Sequence, residues 1–172
     1  MLTQLWLFKR SRLSQIAPMK RYLICLVLLL ATPVAASAEI LQGRGYIVVN
    51  NDRGGNVLDM VKTRARLENS GQKVWIRGYC RSACTILTTM RNACLGPRAT
   101  IGFHAPRIPN TSIIPPYVRE IMASYYRNGI LKRWNEDWRY SLDMVKISAR
   151  DYVKLDPQTK ICPPGSKDPL AP

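Results

Sequence analysis

From residue 45 onward the chain alternates short apolar runs with longer stretches in which apolar side chains recur every three or four positions. Residues 45–50 (GYIVVN) form a β-branched run between turn formers, which predicts a buried strand. Asn51 to Gly55 read as a loop. Asn56 can then cap a helix through about Ser70, with Val57, Leu58, Val61 and Ala65 on its apolar face and Gly71 as its stop. Residues 73–77 (KVWIR) form a second strand. Strand, helix and strand within about 35 residues make a βαβ unit, whose crossover sets the two strands parallel.

Beyond the second strand, Gly78 to Cys84 form a turn, and an apolar stretch to Met90 suits a buried helix. Short strands are expected at residues 93–96 and 100–103, joined through Pro97. Pro115-Pro116 opens an amphipathic helix with Val118, Ile121, Met122 and Tyr125 on one face, and Asn128-Gly129 ends it. A shorter helix follows over residues 131–138. Residues 145–147 make a last strand, and Ser148 caps a final helix through Leu155. The fold class is therefore α/β: a single domain of repeated βαβ units on a mostly parallel sheet.

The first 38 residues carry a different pattern. Lys20 and Arg21 precede a continuous apolar run, and Ala36-Ser37-Ala38 supplies small residues for signal-peptidase cleavage. The run is short for a membrane span, which needs about 20 residues. An export signal starting at Met19 leaves residues 1–18 as an upstream extension or a long n-region. The expected organisation is a leader over residues 1–38, an α/β domain over 39–161 and a Pro-rich tail over 162–172. Localisation is then periplasmic or secreted, with no stable membrane span after processing.

Charge changes meaning once the leader is removed. The 172-residue chain carries 26 Lys and Arg against 11 Asp and Glu, a net +15. Five of those basic residues lie in the leader, so the mature 134 residues carry +10. Arg64, Arg66, Lys73, Arg77, Arg81, Lys132, Arg133 and Arg139 are spread along the chain, with Trp134 and Trp138 nearby for stacking. Spread this evenly they read as a solvated face, and no nucleic-acid-binding motif accompanies them. Four cysteines remain: Cys80, Cys84, Cys94 and Cys162. An even number in an exported chain points to two disulfides, with three connectivities open. Zinc is the weaker use, because Cys80 and Cys84 lack a second close pair. No metal or cofactor is expected.

Functional residues of a parallel α/β sheet gather at the carboxyl ends of its strands. Gly54-Gly55 follow the first strand, Ser82 follows the second, and His104 ends a later one. A serine at a strand-to-helix turn exposes its Oγ, and the helix N-terminus offers partial positive charge to an oxyanion. Paired glycines let backbone N–H groups approach a substrate carbonyl. His104, the sole histidine of the chain, is the available base.

The order Asn51-Asp52-Arg53-Gly54-Gly55, then GYCRSACTIL around Ser82, then CLGPRATIGFHAP ending at His104-Ala105-Pro106 resembles the proteolytic subunit of Clp protease. It also resembles the wider Clp-protease/crotonase-like fold, and more closely periplasmic proteins of that fold with a Cys-x-Ser-Ala-Cys motif. The resemblance covers roughly residues 46–155. It implies a serine peptidase with Ser82 as nucleophile and His104 as base. The Gly55 amide, in preference to that of Gly54, and the Ala83 amide would form the oxyanion hole. Asp143 would be the third triad member, with Asp151 the alternative and Asp156 a distant one. The implied partner is a peptide or protein substrate, and a homo-oligomer is compatible with the family. Ala83-Cys84 replaces the family's Met-Gly, and Cys80 replaces a small residue. Disulfides from Cys80 and Cys84 to Cys94 and Cys162 would pin the elbow. The segment between His104 and Asp143 is too short for the handle through which Clp rings stack. A non-catalytic binding or assembly module of the same fold is the alternative function.

Overall fold

The structure is a computed structural model, and it describes residues 39–43 and 45–163. The expected leader and most of the expected tail lie outside these residues. Six strands form one sheet: β1 (Glu39–Gly43), β2 (Tyr46–Asp52), β3 (Lys73–Arg81), β4 (Ala93–Leu95), β5 (Thr100–Phe103) and β6 (Val145–Ser148). The spatial order is β1-β2-β3-β5-β6, with β4 pairing on β3 beside β5. The β2–β3, β3–β4 and β3–β5 ladders are parallel, as the βαβ reading requires.

The sheet is nevertheless mixed and not mostly parallel. β1 folds back on β2, and β6 returns antiparallel to β5. β1 was not expected: EILQG has no strong strand pattern of its own, and only its pairing with residues 46–50 makes it a strand. β3 likewise runs four residues past the expected end, because Tyr79 to Arg81 pair with β5. β3 thus serves two neighbours on one edge, β4 along Val74–Ile76 and β5 along Tyr79–Arg81. Gly78, at φ +60, separates these halves, and an added Cβ there would fall 2.0 Å from Asn51 Oδ1. Asn51, at φ +51, forms a register shift in β2 and accepts the Tyr79 N–H at 3.2 Å. A bulge of this kind bends a strand end and re-aims the loop after it.

Helix α1 (Val57–Asn69) starts where expected, with Asn56 Oδ1 accepting the Leu58 and Asp59 amides at 2.9 and 3.2 Å. Its buried face is Val57, Met60 and Leu67, whereas Leu58 is 49% exposed. Arg64 occupies the same face. It donates to the Ile86 carbonyl and, at 3.0 Å, to Thr89 Oγ1, and it pairs with Glu68 at 3.1 Å. The apolar stretch after Arg81 is a 3-10 helix over Ser82–Thr89, buried from Ala83 onward. Thr85 and Thr88 hydroxyls donate to the carbonyls three residues earlier, at 2.7 Å each, supporting the tighter winding.

α2 (Pro116–Ala123) stops earlier than expected, and Asn128-Gly129 starts α3 (Asn128–Arg133) instead of ending a helix. The Asn128 amide donates to Asp156 at 2.7 Å, a long-range bond invisible in local pattern. A π-helical turn over Trp134–Trp138 comes next, then β6 and α4 (Ala149–Leu155), with Ser148 accepting the Asp151 amide at 3.1 Å. Trp134 and Trp138 are core residues and do not stack on a basic surface. Trp138 lies 4.4 Å from the Phe103 ring and Trp134 5.1 Å from that of Tyr126. Val74, Ile76, Cys80, Ile101 and Phe103 leave the sheet on the face that packs with these helices.

Candidate active site

β3 is extended to Arg81, and the chain then turns over at Ser82, where φ is +56 and the 3-10 helix begins. A non-glycine residue in this region is uncommon and costs about 1–3 kcal/mol, so its surroundings must enforce it. Three features do so. Thr85 Oγ1 holds the Ser82 carbonyl at 2.7 Å. A disulfide between Cys80 and Cys84 spans the turn. Gly54 presses on it from the neighbouring loop: a Cβ there would lie 2.6 Å from the Arg81 carbonyl oxygen and 2.7 Å from the Ala83 nitrogen.

The loop after β2 is set by Asp52, which is 2% exposed and accepts the Gly54 N–H at 2.7 Å. Burial pushes the Asp52 carboxyl's pKa up, and the Gly54 amide partly counters this. Gly54's donor is thereby engaged. The Gly55 N–H makes no hydrogen bond among the described residues, and Gly55, at φ +132, has open space where a Cβ would project. Ala83 sits in the first turn of the 3-10 helix, where amides have no intrahelical acceptor.

Ser82, His104 and Gly55 line one recess of about 410 Å³. Its other walls are largely apolar, with Val57, Leu58, Ile108 and Tyr117 among prolines 106, 109 and 115. His104 follows β5 and is half-buried. Burial, then the positive charges of Arg107 and Arg81, lower its pKa from the ordinary imidazole value, while the Ala105 backbone acts the other way. The imidazole is therefore neutral at neutral pH, the form a general base requires. Among the described residues no carboxylate hydrogen-bonds it.

The three aspartates part company. Asp143 is exposed in the turn before β6. Its backbone carbonyl accepts the Ser141 hydroxyl at 3.1 Å, and the Ser141 carbonyl accepts the Ala105 N–H at 2.7 Å. The turn is thus tied to the chain beside His104, but no hydrogen bond links the Asp143 carboxylate to the imidazole. Asp151 is occupied with Ser148 and Lys154, at 2.7 and 2.8 Å. Asp156 is fully buried and holds Arg127, Asn128 and Thr159 at 2.8, 2.7 and 2.6 Å. Asp151 and Asp156 are thus engaged by groups other than His104.

The cysteines pair within themselves: Cys80 with Cys84, and Cys94 with Cys162. The elbow is clamped by its own flanks and is not tethered to Cys94 or Cys162. Two residues at the site escaped sequence reading. Asp52 was legible in principle, because Asp-x-Gly is an Asx-turn pattern. Arg107 lies only three residues past His104, but nothing in the pattern HAPR marked its charge as acting on the imidazole. No protein-family model matches the chain, and no curated protein matches it.

Proposed function

We propose that this protein is an exported serine hydrolase acting on peptides. The observation that carries the reading is Ser82 at a positive φ on a strand-to-helix turn, sharing one recess with His104 and Gly55. Ser82 Oγ would attack a carbonyl carbon while His104 takes its proton and returns it to the leaving amine. The oxyanion would be met by the Gly55 and Ala83 amides, and water would then release the acyl group. The apolar walls of the recess suit an uncharged side chain next to the scissile bond. With no carboxylate on His104 among the described residues, turnover slower than a full triad's is expected. Two disulfides call for a non-reducing compartment, and the leader pattern directs the chain to the periplasm or outside. A fluorophosphonate probe should label the wild-type protein and fail to label Ser82→Ala. Equal labelling of both would sink the proposal.

A second reading is a non-catalytic binding or assembly module of the same fold. The absence of an orienting carboxylate at His104 among the described residues favours it. It is supported if Ser82 stays unreactive while the protein forms a stable complex, and it is excluded by peptide cleavage that His104→Ala abolishes.

A further inference from the structure

The opposite face of the sheet carries a second recess, of about 430 Å³. Register sets Tyr79 beside Thr100, Arg81 beside Gly102 and Gly102 beside Lys146, so these residues share one face. Arg53 reaches the recess from the loop after β2. Three cations and a phenol line it, and among the described residues no carboxylate does.

The cations are arranged. Tyr79 accepts a hydrogen bond from Arg53 Nε at 2.8 Å, and the Arg53 and Arg81 guanidinium carbons lie 5.9 and 5.6 Å from its ring centroid. Arg53 is thus held through Nε and its ring contact, with its terminal nitrogens left to meet an acceptor. Six cations elsewhere pair with carboxylates and others, such as Arg66 and Lys73, stand singly among the described residues, so what sets this recess apart is three cations gathered together. Arg53, Arg81 and Lys146 pair with none among the described residues. Like charges gathered with no acid between them repel, and a shared anion relieves that repulsion. Met144 lies against Gly102, where a Cβ would fall 2.7 Å from its sulfur, and adds an apolar floor.

The recess is floored by Thr100 and Gly102 of β5 and edged by Lys146 of β6. We propose that this recess binds an extended acidic peptide segment laid over these strands, its carboxylates entering the Arg53, Arg81 and Lys146 cluster. Arginine forks bind carboxylates in bidentate fashion. Alternate residues of an extended segment face one side, so acids two positions apart fit the cluster best. Binding here does not require Ser82 to be catalytic.

Fluorescence anisotropy tests it, with a labelled, acetylated pentapeptide of alternating alanine and glutamate and its glutamine twin. The glutamate peptide should bind about tenfold more tightly at low salt. The double variant Arg53→Gln, Lys146→Gln should erase that preference and leave the melting temperature unchanged, because both side chains are exposed. Tyr79→Phe, which removes the hydroxyl that holds Arg53, should weaken the glutamate peptide about threefold. Equal binding of the twins overturns the proposal, as does a preference that survives the double variant. Tighter binding of a phosphate oligomer than of the glutamate peptide also overturns it, assigning the recess to phosphate.

Discussion

His104 titrates where its charged form is disfavoured, first by burial and then by Arg107 and Arg81. The folded protein therefore binds fewer protons at this site than the unfolded chain, whose imidazole has the ordinary value of 6.5. Its contribution to stability is full above that value and is lost as pH falls through it towards the lowered folded value. Acidification from about pH 7 to 5 should thus lower the melting temperature more for the wild type than for His104→Gln. Under the hydrolase reading, Arg107→Gln should move the acid limb of Ser82 labelling to higher pH, because it removes a charge that suppresses protonation. The two glycines of the loop differ in what surrounds them. Gly54→Ala meets the Arg81 carbonyl oxygen at 2.6 Å in addition to an unfavourable φ, and should cost about 2–4 kcal/mol in urea denaturation. Gly55→Ala meets open space and carries the φ penalty alone, about 1–3 kcal/mol.

The element that decides the site is the 3-10 helix over Ser82–Thr89. Its threonines serve two partners at once. Thr85 Oγ1 holds the Ser82 carbonyl and lies 2.6 Å from the Tyr126 hydroxyl, while Thr88 makes the equivalent contact with Tyr152 at 2.6 Å. Burial raises the pKa of both phenols well above the ordinary value, so both remain neutral and need a partner. Thr85→Val keeps the shape and strands the Tyr126 hydroxyl in the core. It should cost about 1–3 kcal/mol by chemical denaturation and slow any Ser82 labelling, since it also frees the elbow carbonyl. The apolar run predicts a buried helix here. It cannot give the winding, which depends on hydroxyl partners 41 and 64 residues away.

Across the whole molecule the two disulfides do different work. Cys94–Cys162 joins β4 to the end of the described chain across 68 positions, whereas Cys80–Cys84 closes only four. Loop-closure entropy makes the first worth about 4 kcal/mol and the second about 2 kcal/mol. Cys94→Ser with Cys162→Ser should therefore lower unfolding free energy about twice as far as Cys80→Ser with Cys84→Ser. The short bridge should instead show its effect on Ser82 reactivity, because it clamps the turn itself.

Local pattern alone determined β2, α1 with its Asn56 cap, the start of β3, and the α4 cap at Ser148, because spacing, capping and β-branching act within a few residues. The order of Gly54-Gly55, Ser82 and His104 along the chain was also legible, each at a strand end. Tertiary structure decided the rest. β1 and β6 became antiparallel edges through pairing, which depends on neighbours and not on the strand's own residues. Asn128-Gly129 started a helix because Asp156 waits for the Asn128 amide. Which of Gly54 and Gly55 keeps an unengaged amide turned on a single hydrogen bond to Asp52, while Lys154 engages Asp151 and Arg127 with Asn128 engages Asp156. Sequence spacing brings candidate groups to the ends of strands, but a hydrogen bond is decided over about 3 Å, and only the folded chain sets distances that short.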